Sequence, residues 1–179
     1  SILHAFYDTN QRVYGELIGQ LASFQLIPIR LTRNLRNTQM IHNEATRFYS
    51  GLPITADGPL GVNVQWLECT EVDVGVRVSE IVRTLCNSEA VAPHDIAVLA
   101  PEQEVLNEVG LRLRKQSVDG VMLSPIRNFK GLERKVVVVA ATKELADVVE
   151  LAYVALSRAR VHLSVVGESA ILGWLRGET

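Results

Sequence analysis

No long apolar run occurs in this chain of 179 residues. None approaches the roughly 18 residues that a membrane-spanning helix needs, and no signal-peptide pattern opens it. The expectation is a cytoplasmic protein with no membrane partner. Cysteine is scarce too. Cys69 and Cys86 are the only two, which is no disulfide framework, and they form no C-x-x-C motif. Four scattered histidines give no zinc-ligand set. Charge of one sign is also missing: 18 basic and 20 acidic residues leave a net −2. No overall basic field recruits nucleic acid, so any such contact must come from local clusters. There is no internal repeat and no low-complexity segment.

Two further absences bear on chemistry. No G-x-G-x-x-G and no convergent His/Asp/Ser set is present, which argues against a generic dinucleotide or metabolite enzyme. No G-x-x-x-x-G-K-[ST] is present either; Lys115, Lys130, Lys135 and Lys143 are the lysines and none follows a glycine. No adjacent Asp-Glu pair is available to hold Mg²⁺ and an attacking water. The chain therefore carries no phosphate cradle of its own. It begins with Ser1 rather than Met, which is read as the cut end of something longer.

What is present is a globular α/β pattern, with 47% hydrophobic and 21% charged residues. Apolar strand-like runs stand at 2–6, 27–31, 62–69, 95–100, 121–123, 136–140 and 162–167. Between them lie helical stripes: 11–24, 37 or 38 to 49, 76–85, 101–115, 145–158 and 170–175. Residues 50–61 hold Gly51, Pro53, Gly58, Pro59 and Gly61 and read as a loop. Strands alternating with helices mean βαβ units, a mainly parallel sheet, and helices on both faces. A boundary is expected near residues 22–26, because the first twenty residues look like the tail of another unit.

Four stretches carry polar residues where chemistry needs them. Tyr7-Asp8-Thr9-Asn10-Gln11-Arg12-Val13-Tyr14 joins turn residues to a helical start. Asn34-Leu35-Arg36-Asn37-Thr38 places Arg36 beside a helix N-terminus. The dipole disfavours a cation there, so either an anion meets Arg36 or water solvates it. Ser124-Pro125-Ile126-Arg127-Asn128-Phe129-Lys130-Gly131-Leu132-Glu133 leads into the β-branched run Val136-Val137-Val138-Val139. It is read as a loop at a strand's end, where open α/β sheets place ligands. Tyr153-Val154-Ala155-Leu156-Ser157-Arg158-Ala159 ends a helix on Arg158. That cation either suits the helix dipole or points over the sheet's rim.

In this order the four stretches resemble motifs III, IV, V and VI of superfamily 1 DNA helicases of the UvrD/PcrA/Rep type. The resemblance implies a three-layer RecA-like fold of the P-loop NTPase type. Residues 1–24 would be the tail of a first RecA-like domain and residues 25–179 the second. It implies ATP with Mg²⁺ as cofactors, the Mg²⁺ ligands lying in an upstream domain. Implied partners are that N-terminal RecA-like domain and single-stranded DNA or DNA junctions, as in DNA repair. By motif, Gln11, Arg36 and Arg158 would act on the γ-phosphate. Glu133, Gly131 and Lys130 would serve the nucleotide, with Glu133 at the ribose. Arg127, Asn128 and Tyr14 would face the DNA. Pro125 and Arg127 depart from the Thr or Ser and the His that many members carry, and Pro125 has no N–H or hydroxyl to offer. The short spacing from Arg36 to Arg127 leaves no room for a large inserted domain. The alternative is a stand-alone RecA-like binding or regulatory module that does not hydrolyse ATP.

Overall fold

The computed structural model describes residues 32–178. Gln11, Tyr14, the first two strand-like runs and the unit at residues 1–24 lie outside the described residues.

In chain order the elements are β1 (Arg33–Asn34), α1 (Gln39–Ala45) with a 3-10 turn (Thr46–Phe48), β2 (Thr55–Ala56), β3 (Gln65–Glu68) and α2 (Val74–Asn87). Then come β4 (Ile96–Ala100), α3 (Gln103–Lys115), β5 (Met122–Pro125) and a 3-10 segment (Ile126–Phe129). Finally come β6 (Arg134–Ala141), α4 (Lys143–Asp147), α5 (Val149–Leu156), β7 (Ala159–Gly167) and α6 (Ser169–Arg176).

The main sheet has five strands in the order β3-β7-β6-β4-β5, all parallel. β6 lies at its centre because its sequence can bury both faces. Val137, Val139 and Ala141 join Ala97, Leu99, Leu163 and Val165 in one core. Val136, Val138 and Ala140 join Ile96, Val98 and Val166 in the other. Residue alternation along a strand produces that division, and β-branched side chains suit a pleated buried surface.

Helices α2 and α3 close the second face through Val78, Val82, Leu106 and Val109. Helices α1, α5 and α6 close the first through Ile41, Leu151, Val154, Leu156 and Leu172. Each such side chain, fully buried, contributes on the order of 1.5–3 kcal/mol. The result is a three-layer α/β fold: the parallel sheet with helices on both faces is what the strand and helix alternation predicts, and its RecA-like type is what the resemblance implies.

Three local readings need correction. The helix expected over 145–158 is two helices, interrupted where Val148 turns extended (φ −135°, ψ 94°). The break follows Asp147 at a β-branched Val-Val pair, poor helix formers both, and leaves Leu145 and Leu151 both in the core. The Gly/Pro-rich stretch 50–61 is not wholly irregular. Thr55 and Ala56 pair in parallel with Arg33 and Asn34, a second small sheet.

The stretch 124–133 is also not a loop at one strand's end. Pro125 pairs with Ala100 at the carboxyl end of the sheet, whereas Arg134 begins β6 at its amino end. In between, the chain crosses back under the sheet, a climb of roughly 20 Å at about 3.3 Å per residue. Ile126 and Phe129 pin the crossing into the first core. Gly131, at φ +83°, makes the final turn, a conformation that costs glycine little.

Candidate functional site

The crossing carries Glu133 to the amino end of β6, and the turn after α5 carries Arg158 to the amino end of the adjacent β7. A third segment, the turn before α1, brings Arg36 to the same corner. Arg36 Nε lies 3.1 Å from Glu133 Oε2, and Arg160 Nη1 lies 3.5 Å from Glu133 Oε1. Arg158 Nη1 reaches towards the carbonyl of Leu132 at 3.5 Å. Three stretches far apart in sequence thus converge on the Leu132–Glu133 corner.

The anion that meets Arg36 in the folded chain is therefore Glu133. The dipole argument made for Arg36 is answered differently. The first N–H groups of α1 are already taken, Gln39 N–H by the Pro59 carbonyl (2.9 Å) and Met40 N–H by the Leu60 carbonyl (3.2 Å). That helix end is closed by its own loop. Arg36 is exposed beside it, and its pair with Glu133, about half exposed on both sides, is of the kind worth about 0–1 kcal/mol.

Arg158 follows the helix-dipole reading rather than the rim reading. It lies in the turn beyond α5 and is only 1% exposed. Its Nε donates to the Val154 carbonyl (3.1 Å) and its Nη2 to Ser157 Oγ (2.8 Å). The guanidinium is thus held inward, under the corner, rather than projecting over the rim.

Backbone contacts fix the corner. The carbonyl of Arg158 accepts from Arg134 N–H (3.1 Å), which joins the start of β6 to the Arg158 turn. Asn34 shapes the Arg36 turn, its Oδ1 accepting from the N–H groups of Arg36 (2.9 Å) and Asn37 (3.2 Å). Such an Asx turn is the local chemistry of Asn. Leu35 and Leu132, both exposed, flank the charged groups with apolar surface.

The remaining sequence candidates are placed as follows. Gly131 and Lys130 are exposed on the turn that delivers Glu133. Arg127, half-buried, and Asn128, exposed, sit on the 3-10 segment that follows β5. They belong to the carboxyl-end side of the crossing, away from Glu133. Arg160 and Asn34 were not singled out by the sequence, which read Asn37 only as one of two possible starts of α1, where the cap position is taken by Thr38. Arg160 offers a faint signal, a second cation two residues after Arg158.

The two ends of the sheet differ in charge. Beyond the carboxyl ends stand Glu68, Glu71, Glu102 and Glu168. There Thr142 Oγ1 lies 2.7 Å from each carboxylate oxygen of Glu102, while Lys143 pairs with Glu71 and Arg176 with Glu68. The amino ends carry Arg36, Arg134, Arg158 and Arg160 together with Glu133 and the Asp95–Lys135 pair. Among the described residues no group of three or more His, Cys, Asp or Glu side chains is placed to hold a metal ion, and no helix is long and apolar enough to cross a membrane.

No family model and no curated protein matches the chain. A solved structure is similar: the C-terminal domain of a possible DNA helicase from Lactobacillus plantarum WCFS1. Its TM-score is 0.59 at 19% identity, over 78% of this chain and 92% of that one. At that identity the likeness is one of fold.

Proposed function

We propose that this chain is the second RecA-like half of an ATP-dependent DNA helicase of superfamily 1, of the UvrD/PcrA/Rep type. The single observation that supports this most is the meeting of Arg36, Glu133 and Arg158 at one corner. The corner has the chemistry a triphosphate needs. Guanidinium forks match phosphate oxygens, and here Arg36 and Arg160 share one carboxylate, leaving an excess of positive charge. In this reading the nucleotide's phosphates draw Arg36 away from Glu133. The freed carboxylate then accepts from ribose hydroxyls.

ATP fits the exposed cations Arg36 and Arg160, which would bind its phosphates, and Arg158 would reach the γ-phosphate only by leaving its bonds to the Val154 carbonyl and Ser157 Oγ on domain closure. Mg²⁺ would be held elsewhere, by the N-terminal RecA-like domain that also supplies the phosphate cradle, and would neutralise charge on the phosphates. Residues 1–24, with Gln11 and Tyr14, would be the tail of that domain. The exposed Leu35 and Leu132 give the corner an apolar rim suited to a domain closing over it. Cations supplied from a second domain make hydrolysis depend on closure. Arg127 and Asn128, on the far side of the crossing, would contact single-stranded DNA. ATP and DNA would then meet opposite ends of one rigid crossing.

The test compares two preparations. The natural full-length protein should hydrolyse ATP when single-stranded DNA is added, whereas this chain alone should fold and show no turnover. Turnover by the repurified chain alone would contradict the reading. A full-length protein inert towards ATP with single-stranded DNA present would replace it by the non-hydrolysing regulatory module.

A further inference from the structure

Asn37 directly follows Arg36 and is 2% exposed. Its Nδ2 donates to the Ser157 carbonyl at 3.0 Å and to the Ala159 carbonyl at 2.6 Å. These are the two residues that flank Arg158. Its Oδ1 accepts from Asn34 Nδ2 at 2.8 Å, and Asn34 is the residue that shapes the Arg36 turn. One residue on, Thr38 N–H donates to the Arg160 carbonyl at 3.2 Å. With the Arg134 bond to the Arg158 carbonyl, four consecutive carbonyls from Ser157 to Arg160 are held. Three are held by residues 37 and 38, and the fourth by the residue after Glu133.

The chemistry singles out a carboxamide. Two carbonyls need two N–H groups on one short side chain. A serine hydroxyl has one hydrogen to give and an ionised aspartate none. A buried carbonyl left unpaired costs about 1–3 kcal/mol, which favours the Arg158 turn in this one position.

We propose that Asn37 is a positioning residue that locks the Arg36 turn to the Arg158 turn, so that the two backbone segments from which the arginines reach are set in place relative to each other. The inference rests on the reading above that both arginines serve the same triphosphate. Asn37 itself touches no substrate. Its effect is on geometry, where misplacement by about 1 Å can cost on the order of 100-fold in rate.

The experiment uses the full-length protein with saturating single-stranded DNA. Asn37→Ser and Asn37→Asp should each lower kcat about 100-fold, with KM for ATP changed less than about threefold. Val109→Ala, in the core on the opposite face, is the stability control. It should lower the unfolding midpoint and leave kcat unchanged below that midpoint. A kcat loss in Val109→Ala as large as in Asn37→Ser would show the effect to be general destabilisation and overturn the proposal. So would a normal kcat in Asn37→Ser while Arg36→Ala is impaired, an outcome that leaves the helicase reading standing. A wild-type protein without ATPase removes both.

A second measurement needs no variant. In this chain both Asn37 Nδ2 hydrogens should exchange with solvent far more slowly than those of the exposed Asn43. Equal exchange rates would show that the clamp does not exist, whatever the kinetics.

Discussion

Arg158 and Arg36 are one residue type in two physical situations. Arg36 is an exposed cation on a short turn, legible in the sequence because its neighbours are turn residues beside a helix start. Arg158 is buried among carbonyls and a hydroxyl, which its place at the end of an apolar helix did not reveal. Asn37 was hidden for a different reason: its partners are backbone atoms about 120 positions away, and backbone acceptors leave no trace in side-chain patterns. His162 is a half-buried polar group. Ser164 Oγ donates to Gln65 Oε1 (3.1 Å), so its contact with His162 Nε2 (3.0 Å) is one in which the ring nitrogen donates. Burial pushes the His162 pKa below its ordinary 6.5, with Glu89 opposing. The folded state thus binds fewer protons than the unfolded state as pH falls through the ordinary histidine range, and stability falls with it. Urea midpoints should therefore drop between about pH 7.5 and pH 5.5, with 6.5 as the reference value. His162→Gln should flatten that slope, and an undiminished slope would place the titration elsewhere.

At the scale of elements, the strands β4, β6 and β7 were legible because continuous apolar runs admit few other fates in a chain this short. The helix over 145–158 was misjudged because its apolar stripe continues across the break at Val148; the local β-branched pair outweighed the periodicity. The Gly/Pro stretch before β3 was legible as a loop but not as a closing piece. A Cβ on Gly58 would stand 2.3 Å from the Asn37 carbonyl oxygen, so the loop passes over the Arg36 turn at backbone contact. Gly58→Ala should lower stability by about 1–3 kcal/mol, the cost of overpacking against atoms that cannot move aside. Gly173→Ala is its counterpart. That glycine lies within α6 with nothing within 4 Å of the added carbon, and the exchange should be neutral or stabilising by up to about 1 kcal/mol. Urea unfolding of both variants decides the matter. Equal midpoints would mean that the loop is not seated on Asn37.

For the whole molecule, the organising fact is that the chain crosses its sheet between Pro125 and Arg134. That crossing places Arg127 near its start and Glu133 at its end, and it sets the candidate nucleotide corner at the amino ends of β6 and β7. The sequence singled out candidate residues but not which end of the sheet they occupy, since pole and register are decided by strand order. The central claim is that this corner lends its arginines to a triphosphate. The direct measurement is kcat for DNA-stimulated ATP hydrolysis by full-length Arg36→Ala. Arg36 is exposed and its ion pair contributes little to stability, so the variant should fold and bind ATP with KM little changed. Its kcat should fall about 10³-fold or more, the scale for a guanidinium that acts on the transferring phosphoryl group, and Arg36→Lys should not restore it. A normal kcat in Arg36→Ala would contradict the account and leave the Arg36–Glu133 pair as a surface ion pair.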